Sequence, residues 1–254
     1  MSLLISLRSE VFKTKRTVSL YFTLAAAAFG PLMSMLDLIF DGVDKDHQKD
    51  IFNEMFTTKF QMTSAVVLPM FIILICTLLP QIEYKNNTWK QVLASPQLKP
   101  NVFFAKFVNI QLLIFLFIVT NQLLMFADAV ILHFMEPSLH VLNQPLNVSA
   151  MFATLANGYV ALLAMSAIHF WLGIRYKNFI IPVAIGIAFW FIGSILVMQT
   201  KLLFTEYFPY SFHMFVSFKE FQLKHLNTIR FTSVAYTLLF LFIGFRDFRK
   251  KSMN

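Results

Sequence analysis

The sequence predicts an all-α membrane protein: six transmembrane helices preceded by an N-terminal amphipathic interfacial helix, with both termini cytoplasmic. Three observations carry that expectation. Six apolar stretches, each near the ~20 residues that cross a bilayer, alternate with short polar segments. The 254 residues are 57% hydrophobic, include 31 Phe and have a mean hydropathy of +0.66, which is more apolar side chain than a soluble domain of this size can hide. The apolar stretches are continuous instead of alternating every second residue, so helices, not strands, must satisfy the backbone inside the membrane.

Residues 1–18 come first. Leu3, Leu4, Leu7, Val11 and Phe12 fall at helical spacing on one face, with Arg8, Lys13, Lys15 and Arg16 largely on the others. That pattern predicts a helix lying in the membrane interface, or, more plainly, a basic anchor with no further role. The spans follow at about 19–40, 61–80, 106–134, 148–172, 179–200 and 229–245, within about three residues at each boundary. The first begins too far into the chain, and is too long, for a cleaved signal peptide, so it reads as a retained span. Pro80 can end the second span. Cys76, the single cysteine, lies within that span as a small core or lipid-facing residue. The chain is expected to be one transmembrane domain over 1–254. The polar stretches near 41–60 and 201–228 are loops with short helices, and Phe208, Pro209, Tyr210 and Phe212 suit interfacial ones.

Basic residues set the orientation. With the N-terminus inside, the inner segments hold Arg8, Lys13, Lys15, Arg16, Lys85, Lys90, Lys99, Lys106, Arg175, Lys177, Arg246, Arg249, Lys250 and Lys251, which is 14 of the 21 Lys and Arg. Of the 13 acidic residues, only Glu10, Glu83 and Asp247 lie on that side. Positive charge favours the cytoplasmic face, so the net +8 is a topology signal. Its spread over four short segments argues against a nucleic-acid surface.

The inner segment between spans two and three is the most distinctive, running from Pro80 through Glu83, Thr88, Trp89, Lys90 and Leu93 to Ser95-Pro96. Thr88 suits an N-cap for a short helix that puts Trp89, Val92 and Leu93 on one face. Such a helix can dock a soluble partner, or Trp89 can sit at the lipid interface as Trp often does. Span three carries Asn121 and Asp128, seven apart and so on one face. A carboxylate there costs ~2.5–3.5 kcal/mol on insertion scales, so Asp128 should face protein or water. Interhelical hydrogen bonding, a substrate path and a proton relay are its three possible uses.

Other chemistry is excluded by motif. No His-Glu-x-x-His accompanies the six His, and no metal site is expected. Ser194, after Gly193, reads as a close-packing residue. None of the seven Gly begins a Gly-x-x-x-x-Gly-Lys-Ser/Thr phosphate cradle, so ATP chemistry cannot reside here. The two N-x-Ser/Thr matches, at Asn86 and Asn147, carry no weight.

Glu83 followed by Thr88-Trp89-Lys90, Leu93, Ser95-Pro96 and a later Lys106 resembles the cytoplasmic loop of ABC type-2 transporter permeases, closest to those of lantibiotic immunity and of peptide or drug export. The N-terminal helix, six spans and inner termini resemble that family along nearly the whole chain. The resemblance implies that segment 81–100 is a coupling element, with Glu83, Thr88, Trp89, Lys90 and Leu93 meeting an ATPase subunit. Glu83 would orient it by pairing with a basic group on the partner or on this chain, Lys85 and Lys90 being the local candidates.

The expected function is therefore the permease subunit of an ATP-driven exporter of an amphipathic substrate (peptide, lantibiotic, drug or lipid) in a bacterial plasma membrane. Its expected partners are ABC ATPase subunits carrying ATP and Mg, a second permease copy or a homologous permease, and membrane lipid. No cofactor is expected on this chain. The rivals are a secondary transporter, for which the halves 1–134 and 148–254 show no clear repeat, and an intramembrane enzyme, for which no catalytic cluster is visible.

Overall fold

In a computed structural model, residues 2–15, 17–40, 50–87, 89, 97–199 and 203–250 are described. They are helical almost throughout, with no strand among them. Helix α1 (Leu3–Lys15) leads into α2 (Val18–Phe40). A helical path then runs from α3 (Ile51–Glu54) through a π-helical turn (Met55–Lys59) and α4 (Phe60–Ala65) into α5 (Val67–Lys85). After it come α6 (Lys99–Met135), α7 (Val148–Arg175), α8 (Ile180–Gln199), α9 (Phe212–Ser217) and α10 (Lys219–Lys250). Six of these helices are long and apolar enough to cross a membrane: α2, α5, α6, α7, α8 and the part of α10 from Leu226 to Lys250. They fall on the six expected spans, with α6 beginning seven residues before the expected 106 and α10 ending five after the expected 245. The alternating path puts α1, the α5–α6 connection, the α7–α8 connection and the end of α10 at one end of the bundle, here called the basic end.

The second span departs from expectation at both ends. Its helical path begins at Ile51, with a break at Val66. It also runs through Pro80 to Lys85, so Pro80 does not end it. The stop is Asn86-Asn87: the Asn86 N–H bonds back to Ile82, and Asn87 takes a left-handed φ of 53°, a conformation Asn tolerates.

Pro31, Pro69 and Pro80 each follow helical residues, and each strips the hydrogen bond from the carbonyl four residues before it. Inside a bilayer such a carbonyl needs another donor. Pro31 frees the Ala27 carbonyl, which accepts from Asn121 Nδ2 at 3.0 Å. Pro69 frees that of Ala65, which accepts from Trp190 Nε1 at 3.2 Å. Pro80 frees that of Cys76, against which α7 packs so closely that a Cβ on Gly173 would lie 2.6 Å from the oxygen. Asn121, buried completely, therefore has an interhelical bond.

The core is built around α5, α6 and α7, whose apolar windows are 56, 61 and 50% buried, against 22% for α2, α8 and α10. The peripheral helices are inverted relative to a soluble protein. On α2 the buried positions are Ser19, Thr23, Ala27, Pro31 and Ser34, while Tyr21, Phe29, Leu32 and Phe40 point outward. Small inward faces let helices approach, and large apolar outward faces suit lipid. The same device lets Ser233 of α10 donate to the Val160 carbonyl at 2.6 Å and accept from the Ala164 N–H across its contact with α7. Asn147, one of the two sequon matches, caps α7 by accepting from the Ala150 N–H.

The segment after α8 is not interfacial. Pro209, Tyr210 and all of α9 are buried. The Tyr210 carbonyl lies against Gly193, and its hydroxyl is 3.0 Å from His169 Nε2. His169 is only six residues from the end of α7, about 9 Å at 1.5 Å per residue. The segment therefore re-enters the bundle from the end opposite the basic one. Ser194 turns its hydroxyl onto the Trp190 carbonyl, a packing role.

Candidate functional site

On α1, Ser6, Glu10 and Thr14 recur every four residues and so share one face. That polar face, not the apolar one, packs on the bundle. Ser6 donates to Gln97 at 2.9 Å, and Thr14 accepts from Asn109 Nδ2 at 2.7 Å. Between them Glu10 meets Lys106 of α6 at 2.9 Å. Lys106 also reaches Glu83 of α5 at 2.5 Å, and Lys13 closes the circuit with 2.7 Å to Glu10 and 3.2 Å to Glu83. Glu83 and Lys106 are 4% and 6% exposed, which is tolerable only because two cations and two carboxylates neutralise one another. Burial opposes ionisation of Glu10, but Lys106 and Lys13 outweigh it and hold the carboxyl below its ordinary value. Burial likewise disfavours the Lys13 cation, and Glu10 and Glu83 outweigh it, raising that amine. A small cleft opens beside the four charges, walled by Leu79, Pro80 and Phe170.

A second tier of contacts ties the same end together. Gln81 donates to the Tyr176 carbonyl at 2.8 Å, and the Tyr84 hydroxyl donates to that of Ile174, so α5 grips the α7–α8 connection. Arg175 and the Trp171 indole both reach Asp247 of α10, at 2.9 and 2.8 Å. Trp89 is buried between Tyr84 and Phe248, with ring centroids 5.2 and 6.0 Å away, and the Lys106 ammonium is 5.5 Å from its own. The connection after α5 is thus rooted in α1, α5, α6 and α10 at once.

Of the residues the sequence singled out, Glu83 and Trp89 come together here around Lys106. Thr88, Lys90 and Leu93 lie outside the described residues. Glu83 pairs with Lys106 and Lys13, neither of them in the loop, and Lys85 is exposed. Asn121 belongs to the α2–α6 seam. Asp128, on the same helix and 8% exposed, has no hydrogen-bond partner for Oδ2 among the described residues. Sequence reasoning missed Lys106 and Lys13 as the partners of Glu83, and Glu10 as the second carboxylate of the circuit. A signal existed: charge sorting leaves three carboxylates at the basic end, Glu10, Glu83 and Asp247, and all three are ion-paired.

In this arrangement the four charged side chains are spent on one another. Among the described residues no cluster of three or more His, Cys, Asp or Glu could hold a metal. Its charges instead lock the base of one connection to three helices. A family model described as "ABC-2 family transporter protein" matches residues 6–194. That interval takes in most of α1, the first four spans and most of α8, and with them all four charges of the network. Among curated proteins, none matches the chain.

Proposed function

The chain belongs to the ABC-2 transporter family, and on that premise we propose that it is the permease of an ATP-driven exporter of amphipathic substrates, worked by ATPase subunits through segment 81–100. It is a multi-pass membrane protein and a transport component, so nucleotide hydrolysis falls to the ATPase, which carries ATP and Mg. Two permease copies, or one copy and a homologue, frame the pathway, and both termini face the cytoplasm of a bacterial plasma membrane. The Phe-rich spans suit a peptide, lantibiotic, drug or lipid as cargo.

The observation that carries the coupling role is the buried Glu83–Lys106 pair at the foot of the segment. A push on residues 88–93 enters α5 at Glu83, α6 at Lys106 and α1 at Glu10 together, because one ionic circuit spans all three. ATP binding draws the ATPase subunits together, and the segment passes that motion to the spans as a bias between two arrangements. Thr88, Lys90 and Leu93 make the ATPase contact, and Trp89, buried on Tyr84 and Phe248, anchors the segment that presents them.

Co-purification tests this. The unmodified chain should retain an ATPase subunit in a complex whose mass fits two permeases. Trp89→Ala should weaken that retention roughly thirtyfold, as for a ~2 kcal/mol anchor, and abolish transport while the protein still inserts. Glu83→Gln should keep more of the ATPase yet uncouple its hydrolysis from transport. ATPase retention by segment 81–100 would also place that segment in the cytoplasm. Wild-type retention and transport in both variants would remove the coupling role.

A further inference from the structure

Toward the end opposite the basic one, the seam between α7 and α10 carries a charge with no counter-charge. The two helices run parallel, in the register shown by Ser233 with Val160 and by Asp247 with Arg175. One turn beyond Ser233, Arg230 donates from Nε at 3.1 Å and from Nη2 at 2.5 Å to Oδ1 of the buried Asn157, and from Nη1 at 3.5 Å to Asn227. Both acceptors are neutral amides, and no carboxylate among the described residues lies within ion-pair reach of Arg230. The same helices fix its depth. Arg230 is 16 residues from Arg246, and Asn157 is 18 from Arg175, or about 24 and 27 Å at 1.5 Å per residue. Arg175 and Arg246 are exposed cations at the basic end, so they lie outside the hydrocarbon. Hydrocarbon is about 30 Å thick, which puts Arg230 at its far edge or just inside it.

We propose that Arg230, held by Asn157, binds the phosphate of a phospholipid in the leaflet opposite the basic end. Asn157 takes the edge of the guanidinium formed by Nε and Nη2. The end-on edge, with one N–H each of Nη1 and Nη2, is the fork that fits two phosphate oxygens. Lipid phosphates lie just beyond the hydrocarbon edge, at the depth of this side chain. The surroundings select a lipid over a soluble anion. Arg230 is exposed, and Phe231, Val234 and Leu238 of the same helix are 77, 44 and 65% exposed, a track for the acyl chains. Asn157 is a positioning residue: it aims the fork and, being neutral, leaves the positive charge for the phosphate. A cation at this depth is costly until an anion meets it, and the bilayer supplies one. The site lies apart from segment 81–100 and does not rest on the ATPase reading.

The test uses the full chain in an uncharged maltoside detergent, with a fluorophore on Val234→Cys, one turn from Arg230. Cys76 is buried and stays unlabelled. Phosphatidylglycerol or diacylglycerol with the same brominated acyl chains, bromine being a contact quencher, is titrated into the micelles. Charge-assisted hydrogen bonds should let the phospholipid quench at about tenfold lower mole fraction than the diacylglycerol. Arg230→Gln should bring the two curves together while quenching persists, and Asn157→Ala should narrow the gap with the charge still in place. Excess inorganic phosphate should leave the quenching unchanged; reversal would make this a site for free phosphate and overturn the lipid assignment. Equal quenching by the two lipids, or a preference that survives Arg230→Gln, overturns the proposal. An unchanged preference in Asn157→Ala removes the positioning role. No quenching by either lipid would mean that protein, such as a second copy, covers this face, and would overturn the proposal outright.

Discussion

The two halves of the bundle treat buried charge in opposite ways. At the basic end, Glu83 and Lys106 are buried in a closed circuit with Glu10 and Lys13, and Arg175 holds Asp247 nearby. In the opposite half Asp128 is also buried, yet among the described residues Oδ2 has no partner, and the ring nitrogens of His213 and the hydroxyls of Ser34, Ser64 and Ser217 have none either. Removing one member of a satisfied pair strands the other, whereas removing an unpartnered group strands nothing. The buried charges at the basic end therefore fix one geometry, while in the opposite half unpartnered groups such as Asp128 oppose the fold beside partnered ones such as Asn121 and the Arg230–Asn157 pair.

The sharpest way to break that comparison is Lys106→Met. It leaves Glu83 and Glu10 buried with only Lys13 to share, and should cost about 3–5 kcal/mol, read as a lowered thermal midpoint in detergent. Adding Glu83→Gln should return more than half of the loss. A single-variant loss below about 1 kcal/mol would mean that the circuit does not hold the basic end together.

Asn121→Leu should act less strongly. It orphans the Ala27 carbonyl that Pro31 has freed, a loss of about 1–3 kcal/mol. In a Pro31→Ala background the helix supplies its own N–H to Ala27, so the same substitution should then cost much less. Equal costs in the two backgrounds would show that Asn121 matters for another reason.

The smallest effect, and opposite in sign, belongs to Asp128→Leu. Replacing a buried carboxyl that lacks a partner should be neutral or stabilising by about 1 kcal/mol. A large loss of stability would put Asp128 in the same class as Glu83 and erase the contrast between the halves.

Spans, helical class and the basic end were legible in the sequence because each depends on local composition: hydrocarbon thickness sets how many apolar residues a span needs, and Lys and Arg concentrate between particular spans. The importance of Glu83 and Trp89 could be seen from a rare acid and an aromatic in a basic loop. Their partners could not. Lys106 is 23 residues from Glu83, Lys13 is 70 away, and Phe248 lies at the far end of the chain, so only packing brings them together. The face that α1 buries was likewise decided by structure. Apolar periodicity shows which residues leave water, but beside a membrane they can leave it for lipid, and the polar side is then free to pack on protein. Helix ends at proline failed for a related reason. In water a stripped carbonyl ends a helix cheaply, but in a bundle Asn121, Trp190 or the close approach at Gly173 accommodates it, and none of these neighbours can be read from the sequence around the proline. Composition determined the six helices, among the described residues, that are long and apolar enough to cross a membrane. Tertiary structure decided which polar groups meet inside, because a buried charge is tolerated only where the fold delivers its counterpart.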